Sequence, residues 1–122
     1  MTEITRQHLE LAALAAGHEV VCAEAEMQGC EDCSTVYTGL MLRGVQEPWR
    51  PHLDNGDAFG LLVAAGITLV REAGEVWAWT EDESATKRAG HDGTPADAAR
   101  AAREAVVLRA AEVGRRMREG GR

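Results

Sequence analysis

Thr94-Pro95-Ala96-Asp97 writes the start of a helix, and this long C-terminal element is what the rest of the chain must pack around. Threonine caps through its hydroxyl. Proline takes the first helical position, where its missing N–H costs nothing, and an acid sits at the third, near the positive end of the backbone dipole. At 100° per residue, Ala99, Ala102, Val106, Ala110, Val113 and Met117 fall within about an 80° arc, the expected packed face. The opposite side mixes Asp97, Arg100, Glu104, Glu112, Arg115, Arg118 and Glu119. Arg100–Glu104 and Glu112–Arg116 are four apart, and such pairs contribute about 0.2–0.5 kcal/mol each. Val107 and Leu108 project outside the packed arc, which predicts a second apolar contact with a dimer mate or another partner. Residues 119–122 are expected to form a disordered tail.

The remaining chain supplies two shorter helices and about four strands. Thr5 is an N-cap, with Ile4 before it and Leu9 at the fourth helical position as a hydrophobic staple. Ile4, Leu11 and Leu14 share a face, and Gly17 is the stop. His18–Ala23 and Val36–Leu42 read as strands. Trp49-Arg50-Pro51 approaches the second helix in extended form, because proline pushes its predecessor out of the α region. Asp54 caps that helix and Asp57 answers as the reciprocal carboxylate. Phe59, Leu62 and Val63 are expected to form its buried face, and Gly66 to end it. Ile67–Arg71 and Val76–Thr80 make a hairpin through Glu-Ala-Gly-Glu, with Gly74 free to take positive φ. Residues 81–93 read as a polar loop, an insertion in form, with room for one helical turn at Ser84–Ala89. All three tryptophans are expected in the core.

With 122 residues the chain is expected to be one domain, residues 1–122. Its hydrophobic residues include 21 alanines and only 31 of the larger Ile, Leu, Val, Met, Phe, Trp and Tyr, enough for one core. The order α-β-β-α-β-β-α predicts an α+β single-domain sandwich, an antiparallel sheet of about four strands packed with three helices. The run Trp49-x-Pro51-x-x-Asp54-x-Gly56-Asp57-Ala58, followed by a leucine-rich helix and a Trp-bearing strand, resembles the phage αβα-sandwich domain family. The closing Arg103-x-x-Val106-x-x-Arg109-Ala110-Ala111-Glu112-Val113-Gly114 is similar to that family's last helix. Arg50, where the family more often has Asn, and Phe59-Gly60 depart from its pattern. The resemblance implies a small tailed-phage or prophage protein and brings no catalytic residue with it.

Charge is uneven. The net charge is −7, but residues 1–93 carry 6 basic and 16 acidic side chains, while residues 94–122 carry 7 arginines against 4 acids. An acidic body repels nucleic-acid phosphate and anionic membrane, and the arginines alternate with acids rather than forming a basic stripe. The longest apolar stretch, Leu61–Val70, is about half of what a membrane span needs. The opening residues lack a signal peptide's apolar segment, so a cytoplasmic location, that of the host cell, is expected.

Three cysteines fit a reducing compartment. His18-x3-Cys22-x7-Cys30-x2-Cys33 has the outline of a zinc set. On one strand, however, His18 and Cys22 lie about 13 Å apart at roughly 3.3 Å per residue, too far for one ion unless the strand bends or bulges. Free thiols are the expected state of Cys22, Cys30 and Cys33, and no cofactor is expected. No serine sits in a nucleophile elbow, no glycine-rich loop carries a phosphate-binding lysine, and capping accounts for Asp54 and Asp57. A non-enzymatic protein is therefore expected, acting by binding a host or phage protein, as an inhibitor of a host defence such as a CRISPR effector would. The binding residues expected are Glu24, Glu26, Glu31 and Asp32 on the acidic body, with Val107 and Leu108. Two alternatives stay open: a nucleic-acid-associated accessory protein using the arginine-rich helix, and a zinc-stabilised module.

Overall fold

The computed structural model describes residues 4–22, 41–42, 49–80 and 87–120. It is α+β. Helix α1 spans Arg6–Ala16, α2 spans Asn55–Ala65 and α3 spans Pro95–Gly120. Strands β1 (Val20–Cys22) and β2 (Met41–Leu42) form an antiparallel pair. Strands β3 (Thr68–Glu72), β4 (Glu75–Trp79) and β5 (Lys87–Gly90) form a separate antiparallel meander in that order. The described strands thus fall into two small sheets rather than one of about four. β5 lies in the stretch expected to be loop or helical turn. Its Lys-Arg-Ala-Gly carries one apolar side chain, so the β signal comes from its ladder with β4 and not from its composition. No helix among the described residues is long and apolar enough to cross a membrane.

The N-caps expected at Thr5 and Asp54 form. The Thr5 side chain accepts from the His8 N–H, and the Thr5 N–H donates back to His8 Nδ1 at 3.0 Å, so an imidazole closes the capping box. The Asp54 carboxylate accepts from the Asp57 N–H at 2.8 Å. Asp57 does not reciprocate at the cap as expected. Its carboxylate accepts from the Arg50 N–H at 2.9 Å and ties the approach segment to the helix. Gly17 and Gly66 end their helices with φ 81° and 70°, and Gly74 turns the β3–β4 hairpin at φ 89°.

α3 is the centre of the packing, and its buried face turns along its length. Ala98, Ala101, Ala105 and Arg109 are buried in one direction, while Val107, Ala110, Ala111 and Gly114 are buried on nearly the opposite side. The first set includes Arg109, which bonds Thr80 at the end of β4, and the second includes Gly114, which lies against Leu11 of α1. A single arc read at 100° per residue averages two such faces. That is why Ala99, Ala102, Val113 and Met117 are only partly buried. At Gly114 a Cβ would lie 1.9 Å from the Leu11 backbone oxygen, so the two helix backbones touch. On α1 the buried residues are Leu9, Leu11, Ala12 and Ala13, while Leu14 is exposed. The helix of α3 continues through Glu119 and Gly120, the first half of the expected tail.

Arg109 is fully buried among these alanines, and its Nε and Nη2 both donate to the Thr80 hydroxyl at the end of β4. Trp49 is in the core, with the His18 ring edge-on at 5.2 Å. Trp77 and Trp79 are not core residues. They stand half-buried on the sheet face away from Val76 and Ala78, and the Arg88 guanidinium lies 4.4 Å over the Trp77 ring. Alternation along a strand facing the helices with small residues put the large ones outside.

The start of α3 is held more firmly than a lone threonine cap would hold it. The Thr94 hydroxyl accepts from the Asp97 N–H at 3.3 Å and donates to the Asp92 carboxylate at 2.7 Å, while the Asp97 carboxylate accepts from the Asp92 N–H at 2.9 Å. Thr94→Ala is expected to lower stability by about 1–2 kcal/mol, the upper part of the range for lost caps. Urea midpoints check this, and an unchanged midpoint would mean that the reciprocal bonds around Asp92 hold the turn alone.

Candidate protein-binding surface

α2 turns its larger apolar residues outward. Phe59 is 67% exposed and Val63 61%, while Ala58 and Leu61 face the core. This reverses the expected buried face, except for Leu62, which is partly buried. From Phe59 to Ala65 only Gly60 interrupts apolar residues, so periodicity cannot say which stripe is buried. Tertiary anchors decide it. Arg103 of α3 donates through Nε to the His52 carbonyl at 3.1 Å and through Nη1 to Asn55 Oδ1 at 2.8 Å. These bonds fix the turn before α2, and with it the rotation that sends Leu61 inward. Burial of its ring, and then the charges of Arg50 and Arg103, keep His52 below its ordinary pKa, so its neutral form is favoured.

Beside Phe59 runs an apolar groove of about 210 Å³, floored by Leu62 of α2, Leu69 of β3 and Ala102 and Val106 of α3, with Arg103 at its rim. Gly56, Gly60 and Ala64 on the outer side of α2 are exposed and carry no charge, so this face offers van der Waals contact and no ionic one. Leu53, 51% exposed, extends it toward the start of the helix.

A larger cleft of about 480 Å³ opens between β5 and the first half of α3, with charged side chains among its lining. Its side chains are committed to one another. Arg100 holds Asp97 at 2.8 Å and Glu104 at 2.7 Å and donates to the Gly90 carbonyl. His91 bonds the Glu72 carbonyl through Nε2 at 3.0 Å and accepts from the Gly93 N–H through Nδ1. The Thr94 N–H and hydroxyl hold Asp92 below the usual carboxylate range, and Arg100, with the Asp92 N–H, does the same for Asp97. These groups fasten the loop to the helix, which explains their charge states without a ligand.

The residues expected to bind a partner divide sharply. Val107 is fully buried in the core and cannot meet a partner, because the second apolar contact foreseen for it is made inside the fold. Leu108 is partly buried and lines two clefts, the one beside β5 and a smaller one against α1. Glu24, Glu26, Glu31 and Asp32 lie outside the described residues, as do Cys30 and Cys33. Cys22 ends β1, whose register slips between Val20 and Cys22. Among the described residues no group of three or more His, Cys, Asp or Glu is placed to hold a metal. The α2 groove was not among the expected sites, and its local signal in the sequence is a helix apolar on too many sides.

No family model, no curated protein and no solved structure matches the chain.

Proposed function

We propose that this chain is a non-enzymatic protein-binding module, a phage- or prophage-type accessory protein that docks a host or phage protein in the host cytoplasm. The observation that carries the reading is the exposure of Phe59 and Val63 beside an apolar groove. Single exposed apolar residues are ordinary. A contiguous apolar face rimmed by polar groups is the form protein-binding sites take, and aromatic anchors supply much of their energy. A body of net charge −10 over residues 1–93 would steer toward basic partners, such as the nucleic-acid-binding surface of a defence protein. Nucleic acid itself is disfavoured as the partner. Arg100 and Arg115 are each held by two carboxylates, and Arg103 by a carbonyl and an amide, leaving fewer cations to neutralise phosphates.

Affinity purification from a bacterial host, with wild type and Phe59→Asp compared by mass spectrometry, tests this. The variant should keep its melting temperature, because Phe59 is exposed, and should retain the partner at least about thirtyfold less, the loss expected at a binding hot spot of 2 kcal/mol. Equal retention by both proteins, or nucleic acid as the retained species, overturns the reading.

A further inference from the structure

We propose that the first turn of α1 is a pH-sensitive latch in the wall of the Leu108 cleft, closed while the His8 imidazole is neutral and released when it gains a proton. The capping box usually closes with a glutamate or glutamine side chain reaching back to the N-cap N–H. Here His8 Nδ1 takes that part, accepting from the Thr5 N–H at 3.0 Å and lying 3.2 Å from the Thr5 hydroxyl. An imidazole nitrogen accepts only while it carries no proton. Protonation would turn this acceptor into a donor aimed at another N–H. It would also place a cation at the positive end of the helix dipole.

The described surroundings push the same way. Lys87 of β5 faces His8 across a cleft of about 240 Å³ whose other lining includes Leu108, Ala111, Glu112 and Arg115 of α3. On α1 itself Arg6 and Glu10 stand 3.7 Å apart as a pair. Glu112 is the carboxylate placed to offset a charge on His8, but it is engaged by Arg115 and held below the usual carboxylate range by that contact. Arg6, Lys87 and Arg115 against Glu10 and Glu112 leave a net positive setting. Partial burial of the ring and then Lys87 lower the His8 pKa from 6.5. The folded chain thus holds the neutral ring more tightly than the unfolded chain does. The latch is fully closed above pH 6.5 and opens as pH falls through the lowered value. Opening loosens the α1 wall of the cleft, whose lining on α3 includes Leu108 and Ala111.

Amide exchange and methyl NMR on the whole chain, for wild type and His8→Gln, read the latch. Protection of the Thr5 amide, corrected for intrinsic exchange, should fall about fivefold between pH 8 and pH 5 in wild type, the factor that losing one cap corresponds to. The Leu108 methyl signals should move with the same midpoint as the His8 ring nitrogens. In H8Q both should be flat, since an amide oxygen accepts at either pH. Wild-type protection that does not change, an equal fall in H8Q, or Leu108 signals indifferent to the His8 midpoint would each overturn the proposal.

Discussion

Gly114→Ala should destabilise the domain by about 3 kcal/mol or more, although alanine is the better helix former. In an exposed helix the same change would stabilise by about 1 kcal/mol, so the sign of the result is diagnostic. The new methyl would sit 1.9 Å from the Leu11 carbonyl oxygen and 2.7 Å from its carbon. Both are backbone atoms, so no rotamer change relieves the contact. α1 must move away from α3, and the interface of Leu9, Ala12 and Ala13 with Val107 and Ala110 opens with it. Overpacking a dense core costs about 1–3 kcal/mol when side chains can yield, and a backbone collision belongs at or above the top of that range. Gly60→Ala is the control, since a methyl there meets nothing within 4 Å and should stabilise α2 by about 0.5–1 kcal/mol. Denaturant midpoints for both variants decide it. If Gly114→Ala proves as stable as the parent, the helices do not cross at this residue.

Arg109→Ala should cost about 2–4 kcal/mol, by leaving a hole in the core and the buried Thr80 hydroxyl without its guanidinium donor. Thr80 is 7% exposed and Arg109 fully buried, so water cannot readily stand in for either. A double-mutant cycle with Thr80→Val separates the pair from the packing. The two changes should couple by about 1 kcal/mol or more, whereas additivity within about 0.5 kcal/mol would mean that Arg109 is held by its other surroundings and not by this hydroxyl.

What the sequence discloses follows from how local the cause is. Caps and stops depend on a few neighbouring residues, and Thr5, Asp54, Thr94, Gly17 and Gly66 all do what their chemistry implies. The β3–β4 hairpin is legible for the same reason, within a residue at each end. The orientation of α2 is not, because its apolar residues occupy nearly every side and the deciding bonds come from Arg103, 51 residues from the His52 carbonyl it holds. β5 is hidden because its partner strand, not its own composition, makes it a strand. Of the expected binding residues, Val107 failed because a helix serving two surfaces has no solvent side in its middle. Arg109 was not singled out because one arginine of seven in an arginine-rich segment reads as surface until its turn of helix is seen to face Thr80 at the end of β4. The groove beside Phe59 is a property of three elements together, and none of them announces it alone.

The contact at Gly114 also sets a timetable. α1 cannot cover its inner face until a residue about a hundred positions later has been synthesised and has folded into α3. A nascent chain therefore carries Leu9 and Leu11 uncovered while the stretch from α1 to α3 is being made, and this core closes only in the step that brings α3 back onto α1. Chains with such distant contacts fold slowly for their size and are exposed to aggregation and chaperone capture meanwhile. The small side chains of α1, with Ala12, Ala13, Ala15 and Ala16 making up much of its surface, keep that waiting helix only weakly adhesive.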